Sequence, residues 1–318
     1  MSEEKLEEIN SIAEFMEKLN KVRELERYKN LEKGDEIIDK FTIDLFYRGH
    51  SNHQYELVPS IERANRDISR SIYALEVMLI NKAKNEYPVL FSETDNPLDL
   101  LVKLQHYGIP TRLLDITANP LVALYFACAD KNNPDNNDNN GEIFIFGSEY
   151  EKIYNNSLRN KLIKLIGRKD INRAAAISIT YLFSNFLTSK LINEKIINDF
   201  INLNHGRECL IECIDDIHII RPPRLFERLY IQQGNFILLL NDYKYERKNA
   251  SLEYIEHISP IPKDHKNIIA RYIIPAKSKK HLLEELKMLN ITESTLFHDD
   301  VDTVCKNIVA DFKGRYGK

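Results

Sequence analysis

Residues 104–127 read LQHYGIPTRLLDITANPLVALYFA. Two breaks divide this stretch into three. Gly108 and Pro110 stop the helix that leads into them, so TRLLDIT (111–117) is expected to be extended. Asn119-Pro120 then sets a good N-cap before a proline at the first helical position. The following LVALYFACA (121–129) is almost wholly apolar and reads as a buried core helix. Helix, strand and buried helix within so short a span indicate a mixed α/β protein.

The same signals extend upstream. Asn96-Pro97 repeats the cap-plus-proline device and starts the helix that ends near Gly108. Residues 71–87 carry helical periodicity through Ile72, Leu75, Met78, Leu79 and Ala83. DLFYRG (44–49) is a short apolar and aromatic run stopped by Gly49, and reads as a strand. At the N-terminus Ser11 and Glu14 make a capping-box pattern, and Ile12, Phe15, Met16, Leu19 and Val22 form one stripe. That helix is expected to end in the polar stretch near Lys29–Asp35.

Downstream, DKNNPDNNDNN (130–140) is a polar loop. It looks superficially like a calcium loop, yet no register works. A start at Asp135 puts Asn140 where glycine is required, and a start at Asn136 puts Gly147 where the closing glutamate belongs. GEIFIF (141–146) reads as a strand and 151–204 as a helical insertion. IHII (217–220), FERLYIQQGNFILLL (226–240) and IIARYII (268–274) read as strands, with Gly234 at a turn or bulge. Helices are expected around 278–290 and 300–313. No internal repeat is present.

Bulk properties narrow the function classes. The 318 residues suit one or two domains; 43% hydrophobic and 29% charged residues are ordinary for a globular chain. A formal net charge of −4 argues against a broad footprint for nucleic acid or anionic membrane, though 44 Lys and Arg leave room for a local basic groove. No apolar run approaches the roughly 20 residues needed to span a bilayer. The acidic start, MSEEKLEEINS, is unlike a secretory signal. Cys128, Cys209, Cys213 and Cys305 show no disulfide framework, which suits a reducing compartment. A cytoplasmic protein is expected, and abundant Ile, Lys and Asn point to an AT-rich, bacterial genome.

Three constellations can carry chemistry. In FYRGH (46–50), Arg48 at a strand end offers a planar fork to a phosphate or carboxylate, and Gly49 lets a ligand approach the backbone. The alternative is a structural arginine paired with a core carboxylate. The second packs Gln105, His106, Tyr107, Thr111, Arg112, Asp115 and Thr117 between apolar segments, where polar groups must be hydrogen-bonded or functional. Arg112 and Asp115 could equally form one buried ion pair. The third is Arg228 with Gln232-Gln233-Gly234, suited to a ligand amide or to a bulge. His50 with His53, or His205 with Cys209 and Cys213, lack the closed set of ligands a zinc site needs, so no metal is expected. P-loop, GxGxxG and GxSxG motifs are absent from the sequence.

Together these segments resemble the FRG domain, a bacterial family named for its Phe/Tyr-Arg-Gly motif. The resemblance rests on Tyr47-Arg48-Gly49, Leu57-Val58-Pro59-Ser60 and Arg63. It continues through Gln105-His106-Tyr107-Gly108, Pro110–Asp115, Thr117, Pro120 and the Ala123–Ala127 helix. Gln232-Gln233-Gly234, Phe236 and the stretch LNITESTLFHDDVD (289–302) look family-like too. Ile116 departs from the pattern, which usually has an aromatic residue there. On this basis residues 1–40 form an N-terminal helical segment, 41–150 the first half of the domain, 151–205 the helical insertion, and 206–318 the second half with C-terminal helices.

A second likeness is to ADP-ribosyltransferases of the Arg–Ser–Glu type. It implies an α+β fold around a mixed or antiparallel sheet. It also implies an NAD-dependent transferase or NAD glycohydrolase, used as a toxin or in phage defence against a protein or nucleic-acid target. Arg48 and Gly49, with Tyr47, Gln105, Tyr107, Arg112, Thr117, Gln232 and Gln233, would then bind NAD. The transferases' Ser-Thr-Ser strand falls on Asp115-Ile116-Thr117, and their glutamate position falls on Arg228. Glu227, one place off, and Asp115 are the acidic candidates. Two other readings remain open: a non-catalytic nucleotide or nucleic-acid binding module, and a nuclease or hydrolase using His106 and Asp115 as an acid/base pair.

Overall fold

The computed structural model describes residues 6–31, 44–68, 72–91, 97–129, 138–148, 218–222, 226–239, 242–248 and 251–297. Among these, the cap-and-proline signal at 119–120 produces the helix that organises the molecule. α6 (Pro120–Cys128) begins where the Asn119 side chain accepts the Leu121 N–H at 3.0 Å. Val122, Ala123, Leu124, Ala127 and Cys128 on it are buried. Fully burying each larger apolar side chain contributes roughly 1.5–3 kcal/mol, so this helix anchors its neighbours. Burial also pushes the Cys128 thiol up to about 12.

The other elements, in chain order, are α1 (Ile12–Leu31), β1 (Asp44–His50), α2 (Ser60–Ile68), α3 (Ile72–Glu86), α4 (Pro88–Phe91), α5 (Pro97–His106), β2 (Leu113–Thr117), then α6 and β3 (Gly141–Ser148). After the insertion come β4 (His218–Ile220), α7 (Glu227–Ile231), β5 (Gly234–Leu238), β6 (Asp242–Lys248), β7 (Ser251–His257), β8 (Ile268–Ile274), α8 (Ala276–Met288) and α9 (Glu293–Leu296). Gly108, at φ +80°, supplies the left-handed residue that ends α5.

Six strands form one antiparallel sheet in the order β4-β5-β2-β1-β3-β8, and β6 pairs with β7 in a separate hairpin. The fold is α+β with an open antiparallel sheet. Strand alternation sorts its two faces. Tyr47, Ile143, Ile145, Tyr272 and Ile274 meet α6, α1 and α8 on one side. Phe46, Leu114, Ile116, Phe144, Phe146 and Ile237 meet Leu57 and Ile261 on the other. Ile116, the departure from the family pattern, is a core residue of that second face.

The N-terminal helix is not set apart from the rest. Phe15, Leu19 and Val22 share a core with α6, and Ile9 donates its N–H to Ile273 of β8 at 2.9 Å. Met16 and Met78, expected on buried stripes, are exposed. The Glu14 carboxylate takes the Asn10 N–H rather than that of Ser11, while Ser11 Oγ still accepts from Glu14 N. The Asn96 cap, residues 130–137 of the polar loop, the expected helices at 151–204 and 300–313, and His205, Cys209, Cys213 and Cys305 lie outside the described residues.

One expectation for the second half is corrected. Residues 226–240 do not run as strand up to Gly234: Glu227–Ile231 is a helical turn, and strand begins only at Gly234. Glu227 in its first turn complements the helix dipole. Gln233, at φ +47°, then reverses the chain into β5.

Candidate active site

β1 and β2 are neighbours in the sheet, yet only Tyr47 and Thr117 stand in register. By contrast, β1 pairs with β3 over seven positions and β2 with β5 over five. The sheet is therefore two three-stranded halves joined at one seam, and beyond it the two strands part. A groove of about 980 Å³ opens there, walled by β1, β2, α5, α6 and α7.

Arg48 sits at the parting. Its Nη1 donates to the backbone carbonyl of Asp115, an acceptor on the facing strand. Its Nε donates to His50 Nε2 at 2.9 Å. Two anchors fix the guanidinium plane, and among the described residues nothing accepts from Nη2. Desolvation, with the Arg63 charge adding to it against an opposing pull from Asp115, lowers the guanidinium to about 10. It stays cationic at neutral pH. Because arginine only donates, His50 Nε2 must be the bare acceptor, and the imidazole is neutral with its proton on Nδ1. Burial first, then Arg48, Lys263 and Arg63, holds His50 well below the usual histidine value.

Gly49 has a different reason from the one expected. A Cβ there would collide with the Ala123 carbonyl and lie 2.6 Å from Ala127 N. The close approach it permits is that of α6 onto β1, although Gly49 also lines the groove. Tyr47 is buried in the core beneath α6 and touches the groove from there.

Asp115 is the acidic candidate that the fold brings in. It is exposed within β2, whose other residues are buried. Its Oδ1 accepts from Gln105 Nε2 at 2.8 Å. Thr117 lines the groove, but its hydroxyl is committed: it donates to the Gln232 carbonyl at 2.6 Å and accepts from Asn119 N at 2.9 Å. Thr117 thus ties β2 to the turn before β5. Gln232 also faces the groove, with its amide nitrogen on the Leu296 carbonyl at 2.9 Å. His106 lines the wall with its ring stacked on Phe226, centroids 3.8 Å apart and planes within 9°.

Four expected site residues are placed elsewhere. Arg112 is 1% exposed and grips Glu76 bidentately, at 2.8 and 2.5 Å, so its ion pair is with α3 and not with Asp115. Its fork is filled by a carboxylate, leaving no cation to offer an anion in the groove. Tyr107 is exposed and lies edge-on to Phe91. Gln233 is the left-handed turn residue, its carbonyl taken by Ala118 N and Asn235 Nδ2. Glu227, exposed on α7, is outside the groove wall. Its neighbour Arg228 is in that wall, with the guanidinium 4.5 Å from the Phe297 ring centroid. The position that aligned with the transferase glutamate does reach the groove, carrying the opposite charge.

Residues 44–136 match the sequence model of the FRG domain. That span of the chain is an FRG domain. The matched span holds Arg48, His50, Arg63, Gln105 and Asp115, so both strands at the seam belong to the FRG domain. Gln232, Gly234 and the 289–302 stretch lie outside it. No curated protein and no solved structure matches the chain.

Sequence reasoning missed several members of the groove wall. His50 was legible in principle, since strand alternation puts it on the same face as Arg48. Tyr55, Glu56 and Phe226 carried no local signal. Among the described residues no group of three or more His, Cys, Asp or Glu side chains is arranged to hold a metal, and no helix is long and apolar enough to cross a membrane.

Proposed function

We propose that the groove binds a nucleotide-type small molecule, with NAD the first candidate, and that the protein is an ADP-ribosyltransferase-like enzyme or NAD glycohydrolase. The observation that carries this is Arg48: a cation held by two hydrogen bonds at the seam, with Nη2 uncommitted. A guanidinium so fixed suits a pyrophosphate, because little rotamer freedom is lost on binding. Arg63 and Arg228 add positive charge to the same wall.

In this reading Asp115 stands where positive charge would develop on the ribose. The C1′–N bond breaks and nicotinamide leaves with the electron pair. Water, or a hydroxyl of a protein or nucleic-acid target, adds its oxygen to C1′ and gives its proton to solvent. A carboxylate near that centre lowers the barrier electrostatically. A role in phage defence or as a bacterial toxin, in the cytoplasm, belongs to the same proposal.

One observation favours the alternative of a non-catalytic binding module. Arg228 reaches the groove while Glu227 does not, so the wall gains a cation where a transferase would place its glutamate.

The test is incubation of purified protein with NAD, with and without cell lysate as a source of acceptors, followed by mass spectrometry of small molecules and protein. Nicotinamide with ADP-ribose, or an added ADP-ribosyl mass, supports the enzyme, and Arg48→Ala should then abolish turnover with the circular dichroism spectrum unchanged. Wild-type turnover in Arg48→Ala would remove the assignment. Unchanged NAD with saturable nucleotide binding would favour the module.

A further inference from the structure

Gln105 was expected to touch the ligand, but both ends of its amide are engaged within the protein. Oε1 accepts the Thr111 hydroxyl, and Nε2 donates to Asp115 Oδ1 at 2.8 Å. The donor logic runs one way along this path. Leu113 N can only donate, and it donates to Thr111 Oγ1 at 3.2 Å. The Thr111 proton is thus directed to an acceptor, and the acceptor it meets is the Gln105 carbonyl oxygen. That orientation leaves the NH₂ facing Asp115. The reverse flip would set an amide oxygen against a carboxylate oxygen.

The start of the path is itself anchored. Thr111 is 1% exposed. Ser60, the first residue of α2, accepts from Thr111 N at 3.0 Å and donates to Thr111 O at 3.3 Å. Ile61 N adds a second bond to the same carbonyl at 3.1 Å. At the far end, Asp115 is held twice, by Arg48 through its backbone carbonyl and by Gln105 through Oδ1. Among the described residues nothing bonds Oδ2, and the residue is exposed to the groove.

We infer that Gln105, oriented by Thr111, is a positioning residue that sets the Asp115 carboxylate in the groove as an acceptor with one oxygen open to the ligand. This rests on the proposed role of Asp115 in NAD turnover. Neither Gln105 nor Thr111 then contacts the reacting atoms.

Thr111→Val keeps the shape of the side chain and removes the directing hydroxyl; Thr111→Ser keeps the hydroxyl. With NAD as substrate, Thr111→Val and Gln105→Ala should lower kcat on the order of 10- to 100-fold, as loss of positioning does. KM should stay within about twofold, because ground-state binding is untouched. Thr111→Ser should restore kcat. In an Asp115→Asn background, Thr111→Val should add less than about twofold, since both act through one group. A loss confined to KM, or a full multiplicative loss in that background, overturns the inference.

If the wild type turns over no NAD, the enzyme reading has failed on its own. The positioning claim is then judged by crystal structures of the wild type and Thr111→Val. Loss of the Gln105–Asp115 bond in the variant supports it, and an unchanged bond overturns it.

Discussion

Arg48 and His50 form the smallest unit with a consequence of its own. The arginine needs a bare imidazole nitrogen, and the buried imidazole is held neutral by its surroundings, chiefly through desolvation. The folded-state value of His50 lies below the ordinary 6.5, so between the two values the unfolded chain binds a proton that the folded chain refuses. Stability from this group is therefore complete above pH 6.5 and falls as pH drops towards the folded value. The expected slope is at most about 1.4 kcal/mol per pH unit below 6.5. Urea denaturation from pH 7 to 5 should show it, and His50→Gln should flatten it. An equal slope in both proteins would mean that other groups carry the acid sensitivity. Lysine at position 48 keeps the charge but not two divergent donors in one plane, which is why the residue type matters here.

At the scale of elements, the packing of α6 on β1 determines what Gly49 is for. Gly49→Ala should destabilise the fold by about 1–3 kcal/mol or more, because the collision is with helix backbone that no rotamer change relieves. Thermal or urea unfolding measures this, and an unchanged midpoint would show that α6 can shift outward. Much of this scale was legible in the sequence. Asn119-Pro120, the Gly108 stop and the DLFYRG run each act through their immediate neighbours, and α6, the end of α5 and β1 appear where they point. The FERLYI segment was not legible. Its apolar and aromatic residues suit either a strand or one helical turn, and the left-handed Gln233 with the Thr117–Gln232 bond favours the turn.

Across the whole molecule, the buried Arg112–Glu76 pair connects α3 to β2, and Arg112 also reaches the Leu239 carbonyl at 3.3 Å after β5. It is a structural pair, buried where α3 meets the start of β2. Removing one partner leaves an uncompensated buried charge, so Glu76→Leu or Arg112→Met should each cost about 3–5 kcal/mol of stability. The double variant should recover most of that loss, since paired apolar replacements of similar volume are often near neutral. Chemical denaturation of the three variants is the measurement. Should the single variants unfold no more easily than the wild type, the pair is not structural. Nucleotide affinity should be unchanged in the double variant.

Helix caps, chain breaks and strand periodicity are short-range, and residues 104–127 contain enough of them to specify helix, strand and buried helix, with the polar cluster between. The partners of that cluster are not short-range. Arg112 meets Glu76 from 36 residues away and Leu239 from 127; Arg48 meets the Asp115 carbonyl from 67. Local sequence contains the same polar groups whether Arg112 pairs with Asp115 or with Glu76. The choice is made when antiparallel register, broken after Tyr47–Thr117, turns Asp115 outward into the groove and leaves Arg112 inside beside α3.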